Sequence, residues 1–235
     1  MIGENWYCFD CGAKQPKANA RFCFKCGVAL QQAVSEAVDC HVILRRVQEA
    51  VRNSLDLDVC VQEVVASIPP NVLEAADSTL EQSEPYIRAG DPPELTPQER
   101  FVYFASLHEA CKRDEVYRFL HFRGGTIACM TLWQLAKTAL EREDWDQAGW
   151  AGLRMTGIGV EIQQVWLATH GSIFYGLALH GKGSNEALLV LRLTLEGLEG
   201  AARDAPDAQS LEFLKHWAAI ALDAYQKELD HQRLE

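Results

Sequence analysis

The chain has 235 residues, of which 48% are hydrophobic and 23% charged, and its formal net charge is -11. These totals are typical of a soluble globular protein of one or two domains that builds its own core. The acidic balance disfavours general binding to a nucleic-acid backbone, and the absence of an apolar run of about 18 residues argues against a membrane span.

The chain divides into three segments by charge. Residues 1–30 carry four basic against two acidic side chains, 31–95 carry four against twelve, and 96–235 carry fourteen against nineteen. We predict a zinc ribbon in the first segment, an acidic helical segment with a linker in the second, and an α-helical domain in the third. The opening residues lack the basic and apolar regions of a secretory signal, so we expect a cytoplasmic, reducing location.

Four cysteines near the start of the chain form two pairs, C-x2-C-x11-C-x2-C, at Cys8, Cys11, Cys23 and Cys26. Two thiolates separated by two residues can bind one tetrahedral ion, and a second pair completes the shell. Four soft ligands favour a closed structural site, and a segment this short needs the metal in order to fold. We therefore predict one Zn²⁺ per chain, although iron uses the same ligands. Disulfides and a thioredoxin-like redox pair are the less favoured alternatives.

The stretch from Trp6 to Gly27 resembles the zinc-ribbon family, in particular the short double zinc ribbon type. Where that family often has Pro after the first cysteine of a pair, this chain has Phe9 and Phe24. The resemblance implies a small β-hairpin ribbon around one zinc. It leaves function open, because such ribbons occur in transcription factors, adaptors and enzymes.

Aromatic and basic side chains are concentrated around these cysteines. Aromatic and Arg side chains are frequent in binding hot spots, so a docking surface for another protein is one interpretation. Packing of the same aromatics against the protein's own helices is the other. The predicted partner-binding residues are Trp6, Phe9, Phe22, Phe24, Lys14, Lys17, Arg21 and Lys25.

The rest of the chain shows helical periodicity almost throughout. An apolar face from Cys40 to Ile68 predicts one helix that Pro69 ends, and a weaker acidic helix is expected over 72–87. Residues 88–97 form the predicted linker, which leads into a capping box at Thr96.

Five helical segments are predicted after this start, with a break at Arg123-Gly124-Gly125 and an end at 180–184. Their predicted apolar faces are Phe101, Phe104, Ala105, His108; Cys129, Leu132, Trp133, Ala136, Ala139, Leu140; Ile158, Ile162, Val165, Trp166, Thr169, Ile173; Leu188, Leu191, Leu195, Leu198, Ala202; and Leu211, Leu214, Ala218, Leu222, Tyr225, Leu229. The fold class is therefore mostly α, a ribbon followed by a helical bundle or stacked helical hairpins.

The segment from Leu132 to Leu153 weakly resembles a tetratricopeptide helix-turn-helix, with Ala136, Asp144 and Ala148 at matching positions. The resemblance implies a helical repeat. An irregular bundle is the favoured alternative, because solenoids need about three stacked units.

A search for catalytic chemistry gives few candidates. The single cysteines Cys40, Cys60, Cys111 and Cys129 are best explained as core residues.

Histidine patterns are similarly weak. Glu228-x-x-His231 is a lone pair of metal-ligand type, and the ten-residue spacing of His170 and His180 predicts that they do not converge. Each is followed by Gly, which predicts a helix end at both places.

Trp133, Trp145, Trp150 and Trp166 could line a pocket between helices, although core packing is the commoner role.

The favoured function is therefore a non-enzymatic zinc-binding adaptor or scaffold that binds another protein. The first alternative is a nucleic-acid-associated factor that uses the basic ribbon. An enzyme with a site near His108, His121 and the tryptophans is the second alternative. The seam from Leu188 to Ala202 could instead face a second copy of the chain.

Overall fold

A computed structural model describes residues 43–68, 73, 95–112 and 117–232. The described residues form nine α-helices, which confirms the prediction of a mostly α body. Their bounds are α1 at 43–53, α2 Leu57–Ser67, α3 Pro97–Cys111, α4 Arg118–Glu141, α5 Trp145–Glu161, α6 Val165–Gly181, α7 Ala187–Glu196, α8 Leu198–Asp204 and α9 Ala208–Gln232. The chain splits into two compact units, Met1–Arg123 and Gly124–Glu235. Within the described residues, none of the helices combines the length and apolar character needed to cross a membrane.

In the first unit, the long helix predicted from Cys40 to Ile68 is interrupted. Helix α1 ends at 53, and Asp56 starts α2 by accepting hydrogen bonds from the backbone N–H groups of Asp58 and Val59 at 3.0 and 3.2 Å. The prediction was wrong there because Asp is a strong helix N-cap, and Leu55 beside it is 99% exposed. Helix α2 does end at Ser67, ahead of the prolines, as predicted.

Helix α3 begins with the predicted capping box. The Thr96 N–H donates to a Glu99 carboxylate oxygen at 2.8 Å, and the Glu99 N–H donates to the Thr96 hydroxyl at 3.3 Å. The helix packs against α2, where the Ser106 hydroxyl donates to the Val61 carbonyl at 3.4 Å. Every residue from Phe101 to His108 is buried, so the single apolar face predicted from sequence covers only part of the buried surface.

The second unit is built on turns that recur every twenty residues. Glu143, Gln163 and Gly183 take positive φ values of 58°, 57° and 65°. After each, a backbone N–H bonds to the carbonyl five residues earlier, which is the αL helix ending known as a Schellman motif. The three bonds are Asp144 to Ala139 at 2.9 Å, Gln164 to Gly159 at 2.8 Å and Ser184 to Leu179 at 2.9 Å. Two helices with their turns thus take forty residues, against 34 for a tetratricopeptide pair.

Helices α5 and α6 approach each other unusually closely. A Cβ atom added at Gly152 would lie 2.6 Å from the Tyr175 backbone nitrogen, and one at Gly171 would lie 2.5 Å from the Thr156 backbone nitrogen. The Thr156 hydroxyl donates to the Gly152 carbonyl at 3.0 Å and also lies 3.3 Å from the Ala168 carbonyl. This contact requires the turn at 162–164. The single helix predicted from Ile158 to Ile173 is therefore wrong.

Three further predictions about helix ends can be compared with the structure, and two of them are wrong. Helix α4 runs without interruption through Gly124-Gly125, because a glycine costs only about 1 kcal/mol in a helix and tertiary packing overrides it. His170-Gly171 lies inside α6, since Gly171 serves close packing and does not end the helix. His180-Gly181 does end α6, as predicted.

Helix α9 packs against α6, α7 and α8 and so closes the second unit as a bundle. Its buried residues are Leu214, Trp217, Ala221 and Ala224, whereas the predicted face included Leu222, which is 56% exposed. The predicted seam from Leu188 to Ala202 is divided at Gly197 into α7 and α8, and its buried residues are Ala187, Leu191, Thr194 and Ala201.

Candidate functional site

The predicted metal ligands and partner-binding residues lie outside the described residues. These are Cys8, Cys11, Cys23 and Cys26, with Trp6, Phe9, Phe22, Phe24, Lys14, Lys17, Arg21 and Lys25. The zinc ribbon therefore remains a prediction from sequence. The described helices contain three other groups of side chains of the types that take part in binding or catalysis.

The first group is a pair of histidines in the first unit. The Nδ1 atom of His108 lies 2.9 Å from the His121 carbonyl oxygen, and the Nδ1 atom of His121 lies 3.1 Å from the His108 carbonyl oxygen. Because a carbonyl can only accept, each Nδ1 carries a proton and donates it. The two rings stack at 4.2 Å between centroids with 18° between planes.

This histidine pair joins the C-terminal part of α3 to the N-terminal part of α4. The prediction of an enzyme site had named both residues, and the structure does bring them together. Reciprocal bonds to backbone carbonyls hold both rings in fixed orientations, which gives the pair a structural role.

The second group is an aromatic cluster in the second unit, where α4, α6 and α9 meet. Phe174 is buried at its centre. Its ring centroid lies 6.3 Å from that of Trp133 and 4.8 Å from that of Trp217, and both ring pairs are edge-on. Trp133 also contacts Phe213 at 5.7 Å, and the Lys137 Nζ lies 5.9 Å from the Trp133 ring centroid. Edge-on pairs of this kind add about 0.5–1.5 kcal/mol each beyond burial, so the cluster fixes α9 on the bundle.

The four tryptophans predicted as a group occupy different places. Trp133 belongs to the cluster, and Trp150 is partly buried on α5. Trp166 is buried edge-on to His170, and Trp145 packs on Gly181, where an added Cβ would lie 2.6 Å from its ring. Trp217, the centre of the α9 contact, was not singled out from the sequence. Its spacing of three from Leu214 and four from Ala221 was the signal that would have found it.

The third group consists of two histidines of α6 that meet α9. His170 is fully buried, and its Nδ1 lies 3.0 Å from the Trp166 carbonyl oxygen one turn earlier. His180 places Nδ1 2.5 Å from a Glu228 carboxylate oxygen of α9. The sequence predicted correctly that the two rings do not converge, but it did not reveal that both contact the same helix. Glu228 of the predicted pair Glu228-x-x-His231 is thus bound to His180 of α6.

Three of the four single cysteines lie in the described residues and are buried thiols, as expected. Cys60, Cys111 and Cys129 are free and buried, whereas Cys40 lies outside the described residues. Burial strongly raises the pKa of the Cys129 thiol, and burial followed by the charge of Glu63 raises the pKa of Cys60. Both thiols are therefore protonated at neutral pH and are poor nucleophiles and poor metal ligands.

Comparison of the chain with protein-family models, with curated proteins and with solved structures finds no match. Conclusions about function therefore depend on the residues and geometry of this chain. The resemblance to zinc ribbons depends on the four cysteines and their spacing.

Proposed function

We propose that the protein is a non-enzymatic zinc-binding adaptor, in which an N-terminal ribbon and a helical body recognise another protein. The observation that carries this proposal is the spacing C-x2-C-x11-C-x2-C at Cys8 to Cys26, which suits one tetrahedral ion. In this proposal the zinc has a structural role, which is to hold the ribbon in a folded form.

The chemical state of the other cysteines supports this assignment of the ligands. Cys60 and Cys129 are buried with raised pKa values, so they compete weakly for a divalent ion. The four N-terminal cysteines differ from them in being paired, with a glycine after each pair, and in lying among basic side chains that favour thiolates.

The surface of the body supports the recognition of a protein. Several large apolar side chains of the second unit are exposed by 40% or more, among them Met130, Leu153, Leu193 and Phe213. Single exposed apolar residues are ordinary, but Phe213 and the partly buried Trp133 pack on each other in the aromatic cluster. Half-exposed aromatic and Met side chains of this kind are enriched at protein interfaces.

A pull-down from host lysate tests the adaptor function. The intact chain, the double variant Phe9→Ala/Phe24→Ala and a control variant Leu55→Ala would be compared. Leu55 is 99% exposed and lies between α1 and α2, so its truncation should leave both the fold of the body and the ribbon unchanged. We expect the ribbon variant to lose partners that the control retains; identical partner sets from all three proteins would remove the role proposed for the ribbon.

The basic ribbon keeps a nucleic-acid-associated function as the second candidate. Four basic residues support a log-log salt slope of at most about -3 to -4, and the acidic body opposes binding. Fluorescence anisotropy with single- and double-stranded oligonucleotides at low salt separates the two functions. Tight, salt-sensitive binding would favour this candidate over the adaptor, and no binding at high micromolar concentration would end it.

A further inference from the structure

His170 is a titratable group enclosed between two helices. Its side chain is 0% exposed, its Nδ1 donates to the Trp166 carbonyl at 3.0 Å, and its Nε2 is buried without a hydrogen-bond partner. The carbonyl of Phe213, on α9, faces the ring and favours its charged form, but it does not meet Nε2 in hydrogen-bond geometry. The neutral ring is thus satisfied on one side only, and α9 lies over the unsatisfied side.

The surroundings of the ring are apolar. The Trp166 ring is edge-on to the His170 ring, with 5.6 Å between centroids and 89° between planes, and the Phe174 centroid lies 6.5 Å away. Burial lowers the pKa of His170 below its ordinary value, while the carbonyls of Trp166 and Phe213 act in the opposite direction with smaller effect. A charged imidazolium is therefore disfavoured as long as α9 stays in place.

Several charged side chains lie on the helices packed around α6. The Asp204 carboxylate of α8 accepts a hydrogen bond from the Trp166 N–H at 3.1 Å, and Lys137 of α4 lies over Trp133. The other charged or titratable residues of these helices include Arg154 of α5, Arg192 of α7 and His216 of α9, whose ring is edge-on to Trp217 at 5.5 Å. The causes of the His170 shift are burial and the two carbonyls alone.

We propose that His170 makes the docking of α9 sensitive to pH, so that proton uptake by this imidazole releases α9 from α6. The direction follows from proton linkage. A buried histidine held neutral binds fewer protons than the same group in water. Acidification below the ordinary histidine pKa of about 6.5 therefore favours the state in which the ring is exposed to solvent. Release of α9 would uncover the aromatic cluster, whose central Phe174 and Trp217 are otherwise buried.

Hydrogen exchange of the α9 amides measures this release directly. Protection factors, corrected for intrinsic exchange, would be followed for residues 214–224 between pH 7 and pH 5. Uptake of one linked proton lowers these protection factors by up to about tenfold per pH unit below the ordinary histidine range. His170→Gln keeps a neutral polar side chain and should reduce this fall to about twofold or less. An equal fall in both proteins would overturn the proposal.

A second histidine provides the matched control. His180→Gln removes the His180–Glu228 contact, which also joins α6 to α9, so it should weaken protection at every pH while the tenfold dependence remains. If His170→Gln does not keep α9 docked at pH 7, the ¹⁵N signals of the wild-type imidazoles decide the matter. His170 that gains a proton while α9 stays protected would contradict the proposal; His170 that stays neutral until protection is lost would support it.

Discussion

Replacing Gly171 by Ala tests the close contact between α5 and α6 more sharply than any other single change. The added Cβ would lie 2.5 Å from the Thr156 backbone nitrogen and 2.6 Å from the Gly152 carbonyl oxygen. Both obstacles are backbone atoms of a regular helix, so neither can rotate away. The two helices must separate, and the packing along α5 and α6 is weakened.

The size of the effect follows from two opposing terms. Overpacking a core typically costs about 1–3 kcal/mol, and a collision with backbone on both sides lies at the upper end. The gain in helix propensity from Gly to Ala is about 1 kcal/mol. We therefore expect Gly171→Ala to lower the free energy of unfolding by about 2 kcal/mol.

Gly157→Ala is the matched control, because it makes the same chemical change on the partner helix. Gly157 is exposed, and a Cβ there would meet nothing within 4 Å. Only the propensity term remains, so this variant should be stabilised by about 0.5–1 kcal/mol. Urea unfolding followed by circular dichroism, with the m-value checked for each protein, measures both changes. Equal stability of the two variants would refute the account of the α5–α6 contact.

Other predictions concern turns, caps and thiols. Gln163→Gly should raise stability by about 0.5–1 kcal/mol, since φ is 57° there, and Gly183→Ala should lower it by about 1 kcal/mol. Thermal melts in which the two variants do not shift the melting temperature in opposite directions would contradict the role of positive φ. Thr96→Ala should cost about 1 kcal/mol through loss of the capping box, whereas Thr138→Ala on the exposed side of α4 should change stability by less than about 0.5 kcal/mol in the same urea assay. Because burial raises its pKa, the Cys129 thiol should resist a thiol reagent at pH 8 until the protein is unfolded, and rapid native labelling mapped to this residue by mass spectrometry would show the burial to be wrong.

Features fixed by neighbouring residues could be predicted from the sequence. The capping box at Thr96, the end of α2 before the prolines and the end of α6 near His180 depend on residues within one turn, and all three are confirmed. The apolar face of α4 is also correct, since Cys129 and Leu132 are fully buried.

Features fixed by distant contacts could not be predicted in this way. The turn at Gln163 contains neither Gly nor Pro, and it forms because glycines on α5 and α6 let the two helices meet. His108 and His121 are thirteen residues apart, and His180 and Glu228 are forty-eight apart, so no local pattern pairs them. The predicted break at Gly124-Gly125 shows the reverse error, in which a local signal is overridden by packing.

The zinc content of the purified chain tests the central claim most directly. Native mass spectrometry of the 26.3 kDa protein, expressed with ample zinc, should show one bound ion per chain. The variant with Ser at Cys8, Cys11, Cys23 and Cys26 should show none, while Cys129→Ala should keep its ion. A wild-type chain without metal, or a four-serine variant that still carries one zinc, would contradict the account.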